Sequence, residues 1–194
     1  ENDFLARCTS LESIDLSKLT SVLSIGEYFL ENTNVTSVDL SKMSGLTGIG
    51  SSFCSGNKSL VSVDLSNLTQ LKGIGQYFLS NSNIELINLK GLINVERIGK
   101  NFLSNSRKIK VVDLSDLISL KVIDSEWFAD NWSEGVLEKV LLPSESIILQ
   151  IGDDFCLGCK QLSNIDLSGL KNVTLIYDDF LCGSGITTID LRPM

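Results

Sequence analysis

The stretch SVDLSNLTQLKGIGQYFL, residues 62–79, places an aspartate between two apolar residues and follows it with apolar residues at every third position. Related phrases recur along the whole chain. Aligned on the Asp-Leu pair, they fall at Asp15, Asp39, Asp64, Asn88, Asp113, Leu141, Asp166 and Asp190, with steps of 24, 25, 24, 25, 28, 25 and 24 residues. Repetition at this period lies within the range of leucine-rich repeats.

The spacing inside each unit is more regular than the length of the unit. An isoleucine follows nine residues after the Leu of each pair, and an aromatic residue follows four positions later. These positions are Ile25, Ile49, Ile74, Ile98, Ile123, Ile151 and Ile176, then Phe29, Phe53, Phe78, Phe102, Trp127, Phe155 and Phe180. All variation in length falls after the aromatic residue, as expected if packed positions are fixed and a loop absorbs insertions.

The Asp-Leu phrase has the alternation of a short strand with one wet face. Val63 and Leu65 would point into a core, and Ser62 and Asp64 would point out. One such strand cannot bury its apolar side alone, so neighbouring units must stack. The sequence therefore predicts parallel strands in successive coils.

The second half of the unit predicts a compact return path. Leu68, Leu71 and Ile74 recur every third residue, which indicates a tight extended or 3₁₀-like path too short for a full helix. Gly75 is interpreted as allowing a sharp turn, and Phe78 as filling the wide end of the coil. We predict an α/β-type repeat solenoid: a single domain, residues 1–194, of about eight coils of 24–28 residues.

The repeat resembles the BspA-like, or Treponema pallidum-type, leucine-rich repeat family. The residues that carry the resemblance are SLVSVDLS with LKGIGQYFL, and LSNIDLS with FCLGCKQL, and the pattern covers essentially the whole chain. The chain departs from the family by having Asp-Leu-Ser where proline is common; only Leu142-Pro143 keeps the proline. The resemblance implies a right-handed solenoid with a short-strand parallel sheet on its concave face and an irregular or 3₁₀ convex side. It also implies a surface-exposed or secreted protein, since several members are linked to adhesion.

Composition excludes several functional classes. A formal charge of −8 argues against nucleic acid as a partner. The apolar runs are far shorter than the roughly 20 residues of a membrane span, so none is expected in this segment. The chain has no histidine, no nucleophile–base pair and no phosphate-binding loop. We expect no enzymatic activity, no cofactor and no metal.

The chain begins without Met and is expected to be a fragment of a longer protein.

The outward aspartates have two interpretations. They form either a solvated face that aids solubility and discourages aggregation, or an acidic strip that attracts a basic ligand or Ca²⁺. Leu86 and Val111 interrupt this face at a position held elsewhere by Ser and Thr, and an exposed apolar patch can mark a contact surface. The candidate ligand-binding residues are Asp64, Leu86, Asn88, Lys90, Val111, Asp113, Trp132 and Lys139.

The unit from Val122 to Ser146 is irregular, because it carries extra residues and both tryptophans of the chain. Trp127 aligns with the core aromatic position and is predicted to be structural. Trp132 has no counterpart in other units. It either anchors an interface or folds back over the neighbouring coil, and the sequence leaves both open.

Five cysteines leave at least one thiol unpaired within the chain. Cys54 and Cys156 occupy a position that is leucine in other units, and Cys8 and Cys159 share the usual cysteine position of the family that the repeat resembles. Burial is predicted for all four. The spacing of Cys156 and Cys159 alone would suit zinc or redox chemistry, but no second pair accompanies it. A disulfide between Cys159 and Cys182 is compatible with adjacent coils.

Five sequons are candidate glycosylation sites, at Asn34, Asn57, Asn67, Asn131 and Asn172. In a secreted eukaryotic protein, Asn57 and Asn131 would be the preferred acceptors because they fall in the loops of variable length.

We expect a non-enzymatic recognition or adhesion module at the cell surface or in secreted form. Its partner would be a protein ligand, with host and extracellular-matrix proteins as examples, bound on the concave face or through the loop around Trp132. The alternative is a structural spacer that projects another domain. The oligomeric state and the ligand's identity are left open by the sequence.

Overall fold

The computed structural model describes residues 2–130 and 135–194. Two sets of short strands alternate along this part of the chain. In chain order they are β1 (Ser24–Ile25), β2 (Ser37–Asp39), β3 (Gly48–Ile49), β4 (Ser62–Asp64), β5 (Gly73–Ile74), β6 (Leu86–Asn88), β7 (Arg97–Ile98), β8 (Val111–Asp113), β9 (Val122–Ile123), β10 (Lys139–Leu141), β11 (Gln150–Ile151) and β12 (Leu175–Ile176).

The three-residue strands confirm the strand predicted at the Asp-Leu phrase. In β4 the Val63 side chain is buried, whereas its two neighbours are partly exposed. Parallel pairing aligns Asp39 with Asp64 and Asp64 with Asn88, one unit apart. Leu141 pairs with Asp113, so the unit without an aspartate stays in register. These strands form two separate sheets, β2-β4-β6 and β8-β10.

The two-residue strands form a second sheet on another side of the coil. Their order is β1-β3-β5-β7-β9-β11-β12, all parallel, with each isoleucine opposite the isoleucine of the next coil. The sequence predicted an irregular or 3₁₀-like path here. The path between the two sheets does consist of tight turns, in which the Leu71 N–H donates to the Leu68 carbonyl at 2.9 Å. The isoleucine that ends this path adds a strand, because its backbone is free to pair with the neighbouring coil.

The aromatic segment has a backbone conformation that the sequence did not predict. In the unit of β5, Tyr77, Leu79 and Asn81 all have φ between +55° and +57°. The Tyr77 and Asn81 amides donate to carbonyls of the following coil, and the Leu79 amide donates to Phe53 of the preceding coil. A left-handed non-glycine residue costs about 1–2 kcal/mol, and inter-coil hydrogen bonds with burial of the side chains offset that cost.

A continuous column of aromatic rings fills the core. The Phe78 ring lies 5.1 Å from Phe53 and 5.7 Å from Phe102, centroid to centroid. Trp127 is fully buried, as predicted, with its ring 5.1 Å from that of Phe102. Its indole N–H donates to the Gly99 carbonyl at 3.1 Å, which satisfies the polar atom inside the core.

Close approach between coils, and not a sharp turn, explains the glycine that follows the repeat isoleucine at Gly50, Gly75, Gly99 and Gly152. A Cβ on Gly50 would lie 2.5 Å from the Gly26 carbonyl carbon, and a Cβ on Gly75 would collide with the Ser51 backbone nitrogen. Neither glycine has a positive φ. The interpretation of Gly75 as a turn residue is therefore corrected: the absent side chain lets adjacent backbones touch.

We predict that Gly50→Ala destabilises the solenoid by about 1–3 kcal/mol, because the added carbon overlaps backbone that cannot move without breaking inter-coil hydrogen bonds. Gly48→Ala is the matched control, since a Cβ there meets no atom within 4 Å. Urea unfolding followed by circular dichroism measures both. Equal stability of the two variants would contradict the close-packing explanation.

Candidate recognition surface

The aspartates of the repeat close a tight turn at the end of each three-residue strand. The Ser66 N–H donates to Asp64 Oδ1 at 2.8 Å. The same bond to the residue two positions later forms at Asp15, Asp39, Asn88, Asp113, Asp166 and Asp190, with lengths of 2.8–3.2 Å. An aspartate or asparagine side chain that accepts this amide forms an Asx turn. The first role of Asp64 is therefore architectural.

The one unit without this side chain also lacks the amide it would bind. Leu141 stands at the aspartate position, and the residue two positions later is Pro143, which has no N–H. Proline fixes its own φ near −65°, so this turn does not need a side-chain acceptor. The departure at this unit is a paired exchange of two residues.

At Asp15 and Asp166 the hydrogen bonds of the Asx turn also favour the ionised carboxylate. Hydrogen bonds from the hydroxyl and amide of Ser17 lower the pKa of Asp15, and those from the amide and hydroxyl of Ser168 lower the pKa of Asp166. Because the pKa of each carboxyl is lower in the folded state, ionised Asp15 and Asp166 stabilise the fold at neutral pH. This stabilisation is lost as the pH falls through the ordinary carboxylate range toward the lowered value.

Two neighbouring coils carry exposed apolar side chains where the other coils are polar. Leu86, which pairs in register with Ser62, is 67% exposed, and Val111 in the next coil is 48% exposed. The same two coils are also apolar at a second outward position. Ile93 is 43% and Ile118 is 45% exposed there, where the preceding unit has Thr69. Ile93 and Ile118 were not among the sequence-predicted residues, although the alignment of the repeats places both opposite Thr69.

The sheet is interrupted between these same two coils. In the described chain no backbone hydrogen bond joins β6 to β8. One coil earlier the Asn67 amide donates to the Lys90 carbonyl at 3.3 Å. The equivalent Gly91 amide donates to the Asp116 carboxylate at 2.8 Å. A carboxylate thus accepts the Gly91 amide, where one coil earlier a backbone carbonyl accepts the Asn67 amide.

A groove of about 640 Å³ lies over this interruption. Five of the sequence-predicted residues line it: Asp64, Leu86, Asn88, Lys90 and Asp113. Asp116 and Ser115 also line it and were not predicted. Val111 and Lys139 are exposed on the adjacent strands, directly opposite each other in the parallel register. Trp132 falls outside the described residues.

The described sequons differ in accessibility. Asn57 is 0% exposed; its side chain accepts from the Thr33 N–H at 2.5 Å and donates to the Leu30 carbonyl at 3.0 Å. The expectation that Asn57 lies in an exposed loop is therefore wrong, because its amide closes the coil. Asn34, Asn67 and Asn172 are exposed, and Asn131 lies outside the described residues.

The cysteines are packing residues or surface thiols. Cys54, Cys156 and Cys159 are buried, as predicted, whereas Cys8 is exposed and its predicted burial is wrong. Burial raises the pKa of Cys54 and Cys156. The Cys159 thiol donates to the Phe128 carbonyl at 3.2 Å. All five cysteines are free thiols, so no Cys159–Cys182 disulfide is formed. The described residues contain no group of three or more side chains arranged to hold a metal ion.

The fold and its repeat define a leucine-rich repeat protein, a class of extended solenoids that typically serve as non-enzymatic binding scaffolds. A model of the "BspA type Leucine rich repeat region" matches in six copies, over residues 1–110 and 72–193. The chain belongs to this family. Within residues 2–130 and 135–194, no helix is both long and apolar enough to cross a membrane.

Comparison with known proteins adds one structural likeness. No curated protein matches the chain. Among solved structures, the functional domain of InlJ from Listeria monocytogenes, described as including a cysteine ladder, is similar at 15% sequence identity with a TM-score of 0.33. The alignment covers 95% of this chain and 49% of that one, so the chain spans about half the length of the InlJ structure.

The paired exchange at Leu141 and Pro143 predicts a coupling energy. Pro143→Ser restores an amide without an acceptor and is expected to destabilise the protein, whereas Leu141→Asp alone gains no hydrogen bond. The double variant forms the Asx turn of the other units. We expect a favourable coupling of about 0.5–1.5 kcal/mol in a double-mutant cycle of unfolding free energies. Strict additivity would show that the two positions are independent.

Proposed function

We propose that this domain is a non-enzymatic protein-recognition module. It binds a protein ligand on the three-residue strand face, at the coils that contain β6 and β8. The observation that carries the proposal is that the apolar side chains exposed at the outward strand position, Leu86 and Val111, coincide with a groove in the same two coils. In a repeat protein each coil has the same structural task, so departures on the solvent side of the same coils favour a role in binding.

The energetics favour binding at this surface. Leu86 and Val111 side chains are held in solvent, where they contribute little to packing of the core. Burying one such side chain in an interface contributes about 1.5–3 kcal/mol when the burial is complete. Central apolar residues within a polar rim are the usual source of binding energy in protein complexes. Here the rim consists of Asp64, Lys90 and Asp113.

We also propose that the protein acts at the cell surface or in secreted form, in adhesion or a related contact. The family resemblance supports this location. Exposed sequons at Asn34, Asn67 and Asn172 are consistent with it and are the proposed glycosylation sites. The loop around Trp132 is proposed as a second contact, which a separate Trp132→Ala variant tests.

A structural spacer is the alternative function. The observation in its favour is the continuity of the scaffold. The seven-stranded sheet and the stacked aromatic rings run from the first described coil to the last, which suits a rigid support. A spacer needs no specialised outward residues, so the binding experiment separates the two functions.

The test is a binding screen against immobilised host and extracellular-matrix proteins by surface plasmon resonance. We expect a ligand whose affinity falls by about 10–100-fold in the double variant Leu86→Ser, Val111→Ser, since two apolar anchors are lost. The matched control is Leu23→Ser, Leu149→Ser, which removes side chains of 64% and 49% exposure that flank strands of the other sheet.

Thermal unfolding establishes that each variant is folded. Absence of binding across the panel, or equal loss in the control variant, would overturn the proposed surface and favour the spacer.

A further inference from the structure

We propose that the groove between β6 and β8 recognises an extended segment of the protein partner that presents an arginine two positions away from an apolar residue. This inference rests on the proposed function and specifies the chemistry of the ligand. It follows from four features of the groove: its charge, the contrast with its surroundings, its free backbone groups and its apolar rim.

The groove carries negative charge that the protein does not compensate. Three carboxylates, those of Asp64, Asp113 and Asp116, line it together with one ammonium group, that of Lys90. None of these four side chains takes part in an ion pair within the described chain. Each aspartate uses one oxygen to accept a backbone amide, which leaves the other oxygen facing solvent. A cationic ligand group would find preoriented acceptors here.

The surface beside the groove differs in this respect. Among the residues that precede the three-residue strands, oppositely charged side chains of adjacent coils form ion pairs. Lys110 pairs with Glu138 at 3.1 Å, and Lys108 pairs with Glu85 at 3.7 Å. This neighbouring column is therefore neutralised by the protein itself. The unpaired charge of the groove contrasts with this neutralised column and gives a partner a signal for orientation.

The interruption of the sheet exposes acceptors that are used elsewhere. At three junctions between coils the carbonyl at the aspartate position accepts the amide of a Leu in the preceding coil: Asp64 accepts from Leu40 and Asn88 from Leu65, both at 2.9 Å, and Leu141 accepts from Leu114 at 2.8 Å. Within the described residues the Asp113 carbonyl receives no such bond from Leu89, and the carbonyls of Asp39, Asp166 and Asp190 receive none either. Asp113 thus offers a backbone carbonyl and a carboxylate oxygen.

These acceptors favour arginine over lysine. A guanidinium group has five N–H donors in a planar fork and can bond to two acceptors at once. An ammonium group is a compact, strongly hydrated charge that loses more on leaving water. Asn88 occupies the position between Asp64 and Asp113, so a neutral amide lies between the two carboxylates.

The apolar rim sets the second requirement. Leu86 and Asn88 are two residues apart on β6 and therefore share one face of the strand, about 6.6–6.8 Å apart along it. An extended partner segment has the same spacing between residues i and i+2. A segment with arginine at one position and an apolar residue two positions away would place the guanidinium group at the carboxylates and the apolar side chain against Leu86 at the same time. A partner of net negative charge would be repelled.

The experiment is selection of a random linear peptide library on the immobilised domain, with counter-selection on the Leu86→Ser, Val111→Ser variant. We expect enriched peptides in which arginine lies two positions from an apolar residue. A synthetic peptide from the selection should bind at least tenfold more weakly when its arginine is replaced by glutamine, because charge-assisted hydrogen bonds are lost. Its affinity should also fall as salt is raised.

Matched variants of the domain test whether the peptide binds in the groove. Asp113→Asn keeps the oxygen that accepts the Ser115 amide and removes only the charge, so the Asx turn persists. We expect it to weaken binding of the peptide about tenfold. Asp166→Asn makes the same change in an Asx turn outside the groove and is expected to leave affinity unchanged.

The outcomes separate this inference from the proposed function. Enriched peptides without basic residues, lost with Leu86→Ser, Val111→Ser, would overturn the arginine-bearing partner and leave the recognition surface in place. Peptides that bind the double variant as well as the unaltered domain would overturn both. Equal weakening by Asp113→Asn and Asp166→Asn would show attraction to the overall charge, which also overturns the specific site.

Discussion

Each coil of this protein must keep its backbone within hydrogen-bonding distance of the next coil around most of its perimeter. The rest of the structure depends on this constraint. It places isoleucine opposite isoleucine in the seven-stranded sheet. It removes the Cβ at Gly50 and Gly75, where a side chain would overlap the preceding coil. It also places every second residue of the aromatic segment in the left-handed conformation, and along this path the backbone amides reach the carbonyls of both neighbouring coils.

The polar side chains inside the coils serve the same constraint. The Asp64 carboxylate accepts the Ser66 amide, and Asn57 joins two coils from a fully buried position. Both look like functional residues in a linear sequence, the first as a carboxylate ladder and the second as a glycosylation acceptor. Their hydrogen bonds explain their presence without a ligand. The exchange of Asp for Leu141 where Pro143 lacks an amide supports this account.

Function is expected where the constraint is relaxed. The strands β6 and β8 do not pair, although the seven-stranded sheet on the other side remains continuous through the same coils. The scaffold can therefore tolerate a local opening without losing its core. At this opening Leu86 and Val111 are exposed, and Asp113 keeps acceptors that face solvent. An interruption supported by an intact second sheet offers a rigid and distinctive surface, which suits recognition of a partner with little loss of conformational entropy.

The sequence by itself determined the repeat, the strand at each Asp-Leu phrase, the burial of Trp127 and the alignment of Leu141 with the aspartates, because periodic spacing reports which residues face a shared core. It also identified five residues of the groove: Asp64 and Asp113 as members of the acidic strip, and Leu86, Asn88 and Lys90 as residues that interrupt it. Only the tertiary structure revealed the second sheet, the glycine contacts, the buried Asn57 and the break between β6 and β8. Each of these depends on distances between coils, about 24 residues apart in the chain, that a one-dimensional pattern does not contain.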